Sequence, residues 1–557
     1  MAEERFDAIV VGSGATGGFA AKELTERGLK VLLLEAGPIV THDDYKKLEE
    51  AAAHPKMVSP WGRVRAGIKG QIIQCRAAWF SEEASFLHVN DLKNPYTWSP
   101  GHFYLWIRTR VLGGRFLNWG RVVPRMSDYD FKAASKDGIG EDWPICYNDL
   151  IPYYEHVEEF LGVVGEEDHL PQAPDGKYIA KAHLTRPEQA FKQKVESIWP
   201  ERKVIPWRYM RAQAIKDHVP TTILAAKATH RLEIRADSVV KQVNTDPSTG
   251  KATGVTYIDR KTKRETTASA SVVMLCASTI ETIRLLLNSA CSKHPNGVGN
   301  SSGLLGRYFM DQSPCLVFGS VPSATGYEHD LDGNFGDLTN PNPGGIYFPR
   351  FQNLDRINYP QFARGFNIQG AIGRNFVPEG SPSAFGFMGQ GEMLPYYDNT
   401  VTVNHRKKDA WGIPVAHLTI IPKENELKMV RVEMDTITEM VRACGYNIDL
   451  CASYIGLDDP KNVLKHDSWF SRFMFKLSYK KSLGMGAAIH ECGGARMGNE
   501  RGTSVLNPHN QLWDADNVFI TDSSCFVSNG TCGPTLTTMA LTVRAAEYVA
   551  RELGKTL

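Results

Sequence analysis

A chain of 557 residues that carries 63 Lys plus Arg against 62 Asp plus Glu has no global field of either sign. That balance argues against nucleic acid or an anionic membrane as partner of the whole molecule and leaves room for a small neutral substrate. With 42% hydrophobic and 22% charged residues, it reads as a soluble globular protein long enough to divide into two or more lobes. Its ten cysteines never form Cys-x-x-Cys, so metal-ribbon and dithiol spacings are missing, no metal is expected, and buried free thiols are the simplest reading.

The first predicted unit runs from Phe6 to Glu35. An apolar strand, Ala8-Ile9-Val10-Val11, enters Gly12-Ser13-Gly14-Ala15-Thr16-Gly17, a helix follows through Ala20, Ala21 and Leu24, and a second strand, Val31-Leu32-Leu33-Leu34, ends on Glu35. This is the spacing of a dinucleotide-binding turn. Gly12 permits the tight turn, Gly14 lets backbone approach a pyrophosphate, and Gly17 lets the helix lie close to the strand with its amides toward the phosphates. Glu35 would accept hydrogen bonds from an adenosine ribose and repel a 2′-phosphate. The strand begins too near Met1 for a secretory leader and no apolar run is long enough to span a bilayer, so a cytoplasmic location is expected.

Residues 38–105 are irregular, mix aromatics with basic residues, and are expected to form a lid. Gly113-Gly114 followed by Asn118-Trp119-Gly120 predicts a tight loop that brings backbone close to a flat cofactor. A structural helix is expected within 142–162 after Pro144. Strands are predicted at 232–234, 238–243, 254–258 and 270–275, with a helix from about Ile280 to Asn288, as the remainder of the dinucleotide domain resumed after an insertion. The stretch from about 316 to 419, with strand alternation at 401–404 and 415–418, predicts an antiparallel substrate lobe. Near the C-terminus, His490 precedes Gly493-Gly494, a short strand ends on Asp522, and Pro534-Thr535 opens a helix whose N-terminus offers free amides to an anion.

Taken together and in this order, Gly12-x-Gly14-x-x-Gly17, Gly113-Gly114, the 277–288 segment, His490 to Gly498 and Pro534-Thr535 resemble the glucose-methanol-choline (GMC) flavoprotein oxidoreductases over nearly the whole chain. Within the family the chain looks most like the bacterial sugar-oxidising branch of glucose dehydrogenase flavoprotein subunits, pyranose oxidases and glycoside 3-oxidases. The resemblance implies an α/β fold: a Rossmann-like FAD-binding domain (1–312 and 478–557, with lid or insert segments at about 38–105 and 165–230) interleaved with an α+β substrate domain (313–477) on a mainly antiparallel sheet. By position it implies that Gly12, Ser13, Gly14, Gly17 and Glu35 hold the adenosine diphosphate half of FAD, with backbone near Val240 at the adenine. Gly113, Gly114, Asn118, Trp119 and Gly120 would line the isoalloxazine and ribityl chain, Asp522 the ribityl or pyrophosphate region, and the helix opened by Pro534 and Thr535 would face the flavin pyrimidine edge. His490 falls on the catalytic base, which takes the hydroxyl proton while the carbon-bound hydrogen leaves as hydride to flavin N5.

Three departures from the family pattern stand out. The second catalytic position, His or Asn in many relatives, is Gly533 here, and Asn529, Thr531, His405 and His417 are the open candidates to replace it. The residue that some pyranose oxidases use for a histidyl-flavin bond is Asn118, so FAD is expected to be non-covalent. Residues 195–235 contain no cysteine, so no iron–sulfur relay is expected. The expected activity is oxidation of a secondary ring hydroxyl of a neutral sugar or glycoside to a ketone, with oxygen or a quinone- or cytochrome-type electron acceptor. The alternatives are a sterol or simple alcohol oxidoreductase and a flavin-bound protein without turnover. Some relatives are exported with a small partner subunit, which makes the periplasm the alternative location.

Overall fold

The apolar run at 8–11 becomes the centre of a parallel sheet because both of its faces are covered. The computed structural model describes residues 5–46, 60–77, 80–211, 215–216, 218–328, 344–458 and 468–555. Strand Arg5–Val11 pairs in parallel with Val31–Leu34 on one side and Glu265–Leu275 on the other, and Leu232–Arg235 extends the sheet beyond Val31–Leu34. Period-two alternation sends Ala8 and Val10 to one face, where they pack with Ala20 and Leu24 and with Ala546 and Val549 of the last helix. Ile9 and Val11 go to the opposite core. Burial on both faces is what a near-continuous apolar strand dictates.

Glu265–Leu275 serves two layers. Its first half pairs antiparallel with Ala252–Asp259, which in turn pairs with Ser238–Thr245, while its last residues receive Val518–Ile520 in parallel. The C-terminal strand therefore enters the nucleotide sheet directly, and helix Thr535–Glu552 packs beside Ala15–Glu26. That closure brings the two ends of the chain to one site.

The second large sheet is antiparallel, in the order Gly456–Asp458, Asn447–Ser453, Ser313–Thr325, Pro382–Gly391, Phe366–Ile372, Ile346–Phe348, Ile205–Pro206. Helices Arg186–Ile198 and Glu424–Ala443 cover one face through Phe191, Val195, Met429, Met434 and Ile437, against Val317, Ile368, Phe385 and Phe387. The 165–230 insert thus contributes a helix and an edge strand to this sheet. The hairpin at 401–404 and 415–418, expected in the substrate lobe, lies elsewhere: Thr400–Lys408 and Pro414–Thr419 join a small sheet with Cys492–Gly494, Arg307–Met310 and Thr97–Trp98. Within 142–162 the helix is Tyr147–Leu161, and the predicted 280–288 helix is Thr279–Leu287. Residues 47–59 and 78–79 of the expected lid lie outside the described residues.

The first glycine turn is sterically sealed. Gly12 adopts φ +95°, and a Cβ there would lie 2.5 Å from the Cys276 carbonyl oxygen; a Cβ on Gly17 would collide with the Gly12 carbonyl oxygen. Helix and strand touch backbone to backbone at this point. Gly17→Ala is therefore expected to destabilise the protein by about 1–3 kcal/mol through overpacking, read as a lowered thermal midpoint of the apoprotein. An unchanged midpoint would show that the helix does not sit so close.

Candidate active site

One cavity of about 1680 Å³ opens between the parallel sheet, the antiparallel sheet and the 60–88 stretch. It exceeds the roughly 300–1,000 Å³ of an ordinary small-molecule pocket, as a dinucleotide together with a substrate requires. Among its lining residues are Gly12, Ser13, Gly14, Glu35, Gly114, Asn118, Trp119, Gly120, Val240, Asp522, Pro534 and Thr535, along with His490 and Gly533. Gly17 and Gly113 are not in the lining; Gly17 lets the helix approach the Gly12 backbone, and Gly113 lets its loop pack against the Pro220 and Leu117 side chains.

At the nucleotide end the parts lock together through Ser13. Its hydroxyl donates to the Glu35 carboxylate and accepts the Gly113 N–H at 2.9 Å, so the first glycine turn, the end of the second strand and the second glycine loop share one hydrogen-bond centre. Glu35 also accepts the Gly37 N–H at 2.7 Å. Burial pushes its carboxyl above the usual range, opposed by these donors. A Cβ at Gly14 would meet nothing within 4 Å, which leaves open the space a diphosphate would fill before the amides of helix Ala15–Glu26. Gly113 and Gly114 both have positive φ, +96° and +53°. Trp119 stacks on Phe116 with ring centroids 5.8 Å apart, and its buried indole N–H has no partner among the described residues, a donor aimed at a missing acceptor. Asn118 accepts from the Thr109 hydroxyl at 3.2 Å. Asp522 is buried, accepts from Ser524 and Thr282, and burial raises its carboxyl. The open phosphate cradle, the orphaned donor and the carboxylate at the ribose position fit FAD.

His490 stands where the small sheet meets the cavity. The residue before it, Ile489, has φ +58°, a left-handed conformation that for a β-branched residue costs about 1–3 kcal/mol. The turn is held by Asp311, whose carboxylate accepts the His490 N–H at 3.1 Å and the Gln312 N–H at 2.7 Å. Asp311 also accepts from the Tyr104 hydroxyl at 2.7 Å; burial and the neighbouring Glu491 push it up to about 7. Glu491 pairs with Arg115 at 3.1 Å, and one of its oxygens is buried without a partner among the described residues.

The side chain of His490 is oriented by Gln312. Gln312 Nε2 donates to the carbonyls of Gly530 and Cys532, both at 3.1 Å, which fixes its amide oxygen toward His490 Nδ1 at 2.6 Å. Nδ1 therefore carries the hydrogen, and Nε2 keeps its lone pair. Burial, with the Arg115 cation nearby, pushes the imidazole down to about 3. On the Nε2 side stands Gly533, where a Cβ would approach to 3.3 Å.

None of the four candidates for the second catalytic position lines the cavity. Asn529 is buried and its side-chain oxygen accepts from the Cys492 thiol at 3.3 Å. The carbonyl of Thr531 accepts from Asn367. His417 meets the Thr97 hydroxyl at 2.8 Å in the small sheet, and His405 is exposed. The carbonyls of Gly530 and Cys532, beside Asn529 and Thr531, accept from Gln312. Sequence reading missed Gln312 and Asp311; the available signal was an Asp-Gln pair breaking the apolar run of 308–318. It also missed Gln369, Met388 and Gln390, which reach the cavity from the antiparallel sheet.

Residues 6–311 and 395–542 match the N-terminal and C-terminal sequence profiles of the family described as GMC oxidoreductase. The 2-methyl-1,2-propanediol dehydrogenase of Mycolicibacterium austroafricanum is 27% identical over 99% of this chain and 96% of its own. The fructose dehydrogenase large subunit of Gluconobacter japonicus is 23% identical over 98% of each. The C-glycoside 3-oxidase of Arthrobacter globiformis is 38% identical across 13% of this chain and 14% of its own. Among solved structures, a formate oxidase of Aspergillus oryzae RIB40, described for an effect on FAD modification, superimposes with a TM-score of 0.64 over 99% of both chains at 15% identity. An FAD-dependent oxidoreductase of Chaetomium thermophilum does so at 0.64 over 99% and 100%, at 14% identity. The chain belongs to the GMC oxidoreductase family, FAD-dependent enzymes that oxidise CH–OH groups of alcohols and sugars.

Proposed function

We propose that this enzyme oxidises a secondary ring hydroxyl of a neutral pyranose or glycoside to a ketone, with non-covalently held FAD and His490 as the base. The observation that carries this reading is the neutral His490 imidazole, its Nδ1–H engaged by Gln312 and its Nε2 facing the cavity beside Gly533. When bound, FAD supplies the acceptor for the hydrogen and electron pair that leave the carbinol carbon. His490 Nε2 takes the hydroxyl proton as the O–H bond breaks. Glycine at 533 leaves that nitrogen open on one side, so a bulky secondary carbinol is accommodated. The N-terminus of helix Thr535–Glu552 borders the cavity and favours negative charge at that end.

Sugar recognition is supported by the amides of Gln369 and Gln390 at the cavity wall, which both donate and accept, and by the fructose- and glycoside-oxidising relatives. A second reading, a small diol, is favoured by the propanediol dehydrogenase likeness along the whole chain. Anaerobic bleaching of the flavin by glycosides and free sugars, compared with diols and sterols, separates them. Bleaching by diols alone rejects the sugar reading. Acid precipitation is expected to release the yellow cofactor, since Asn118 cannot form a histidyl bond; colour retained in the pellet contradicts non-covalent binding.

Replacing His490 with Ala is expected to leave FAD bound and to slow flavin bleaching by about a hundredfold to ten-thousandfold. Near-normal bleaching would remove His490 from the mechanism. The base works when neutral, and its folded-state pKa lies far below the ordinary 6.5, so competence persists above about pH 3. Stopped-flow bleaching should accordingly stay flat between pH 8 and pH 5, whereas an unperturbed imidazole would lose about thirtyfold by pH 5. Gln312→Glu sets a carboxylate against Nδ1–H and should raise the acid limb of that profile. An unmoved limb would make Gln312 merely structural.

A further inference from the structure

We propose that this protein docks on an anionic lipid surface through two exposed amphipathic helices that adjoin the wall of the catalytic cavity. The first is Trp469–Ser482. Trp469, Phe473 and Leu477, spaced four residues apart with Phe470 beside them, are 78%, 52%, 65% and 54% exposed in that order. The opposite face, Phe475 and Tyr479 with Leu483, packs on Leu316, Leu450 and Met388 of the antiparallel sheet. This helix is not an apolar element awaiting its core, because its core face is already filled.

The second helix is Pro60–Ile68. Trp61, Val64 and Ile68 point outward, Trp61 68% and Ile68 81% exposed, while Gly62, Arg63, Arg65 and Lys69 line the cavity. The two helices are anchored on consecutive residues: the Leu105 N–H bonds the Met485 carbonyl at 2.9 Å, just after the first helix, and Gln74, just after the second, bonds the Trp106 carbonyl at 3.1 Å. Met388, against which the first helix packs, is itself a cavity wall residue.

Charge selects the occupant. Trp469–Ser482 carries Arg472, Lys476, Lys480 and Lys481 and no acidic residue. Pro60–Ile68 carries Arg63 and Arg65, with Lys69 following; Arg65 is paired with Glu82, and Glu82 and Glu83 line the same cavity, so the positive field comes chiefly from the first helix. Aromatic and aliphatic residues on one face bordered by Lys and Arg are the pattern of a helix lying in a membrane interface. No helix among the described residues is long and apolar enough to cross a bilayer, so the contact is superficial. A second copy fits less well, since a two-fold contact would set these same lysines against each other.

The test is sedimentation of the holoenzyme with vesicles of phosphatidylglycerol and phosphatidylcholine, beside vesicles of phosphatidylcholine alone. Binding is expected to the former only, to be lost at high salt, and to weaken about fivefold for each lysine neutralised in Lys476→Gln/Lys480→Gln. Phe473→Ser/Leu477→Ser should abolish it with dye-coupled turnover unchanged. The lysine variant leaves the packing alone and reads out charge even where the apolar variant folds poorly. Equal binding to both lipids, no binding, binding indifferent to the lysine variant, or a dimer that Phe473→Ser dissolves would each overturn the proposal.

Discussion

The hydroxyl of Ser13 is the point on which the cofactor site depends. It joins residue 35, at the end of the second strand, to residue 113, in a loop that follows the whole 38–105 stretch, and it does so within a turn where neither Gly12 nor Gly17 can take a side chain. Gly12 and Gly17 leave no room for a Cβ, so the turn has a single shape, and the Ser13 hydroxyl has a single direction. A Cβ at Gly114 would stand 3.3 Å from Gly14 Cα: the second glycine loop is held against the first. From the other end of the chain, Val518–Ile520 enters the same sheet, which delivers Gly533 and the N-terminus of the last helix to this cavity. Tertiary closure of the nucleotide sheet is thus what assembles the catalytic end.

At that end the governing effect is burial. An imidazole removed from water and set near Arg115 has, among the described residues, no carboxylate bonded to its ring to stabilise the charged form; Asp311 bonds the His490 backbone instead, and Glu491 pairs with Arg115. The ring's partner is the neutral amide of Gln312. An amide orients the ring and selects the tautomer without raising its basicity, where a carboxylate would do both. The arrangement keeps the imidazole neutral with its Nε2 lone pair free of a proton, while its lowered pKa makes that nitrogen a weaker proton acceptor.

The parts legible in the sequence are those encoded locally. The glycine turn, Glu35, the strands at 254–258 and 270–275 and the last helix follow from spacing and capping, and the place of Gly533 follows from the family resemblance. The unread parts are pairings at long range. Gln312 lies 178 residues from His490, and nothing in periodicity says which strand junction will face which loop. The hairpin at 401–418 shows the same limit: alternation predicts that the two strands pair, not that they join Cys492–Gly494 rather than the antiparallel sheet. Net charge is silent on local distribution: a total near zero is compatible with a helix of four basic residues and no acid.

The antiparallel sheet shows how substrate preference can vary without disturbing the fold. On Pro382–Gly391, Phe385 and Phe387 pack among the helix-facing core residues, and Gly389 and Gly391 continue that face: a Cβ at Gly389 would strike Glu433, and one at Gly391 would lie 2.8 Å from the Met429 sulfur. Helix Glu424–Ala443 therefore rests on bare backbone, which sets the height of the sheet above the cavity. Met388 and Gln390, between those positions, point the other way into the cavity. Because successive side chains alternate faces, the residues that fix the sheet's position and those that line the cavity are separate sets on one strand. Under the proposed role of His490, changes at 388 and 390 would alter the cavity wall while the helix, the sheet and the imidazole stay where they are.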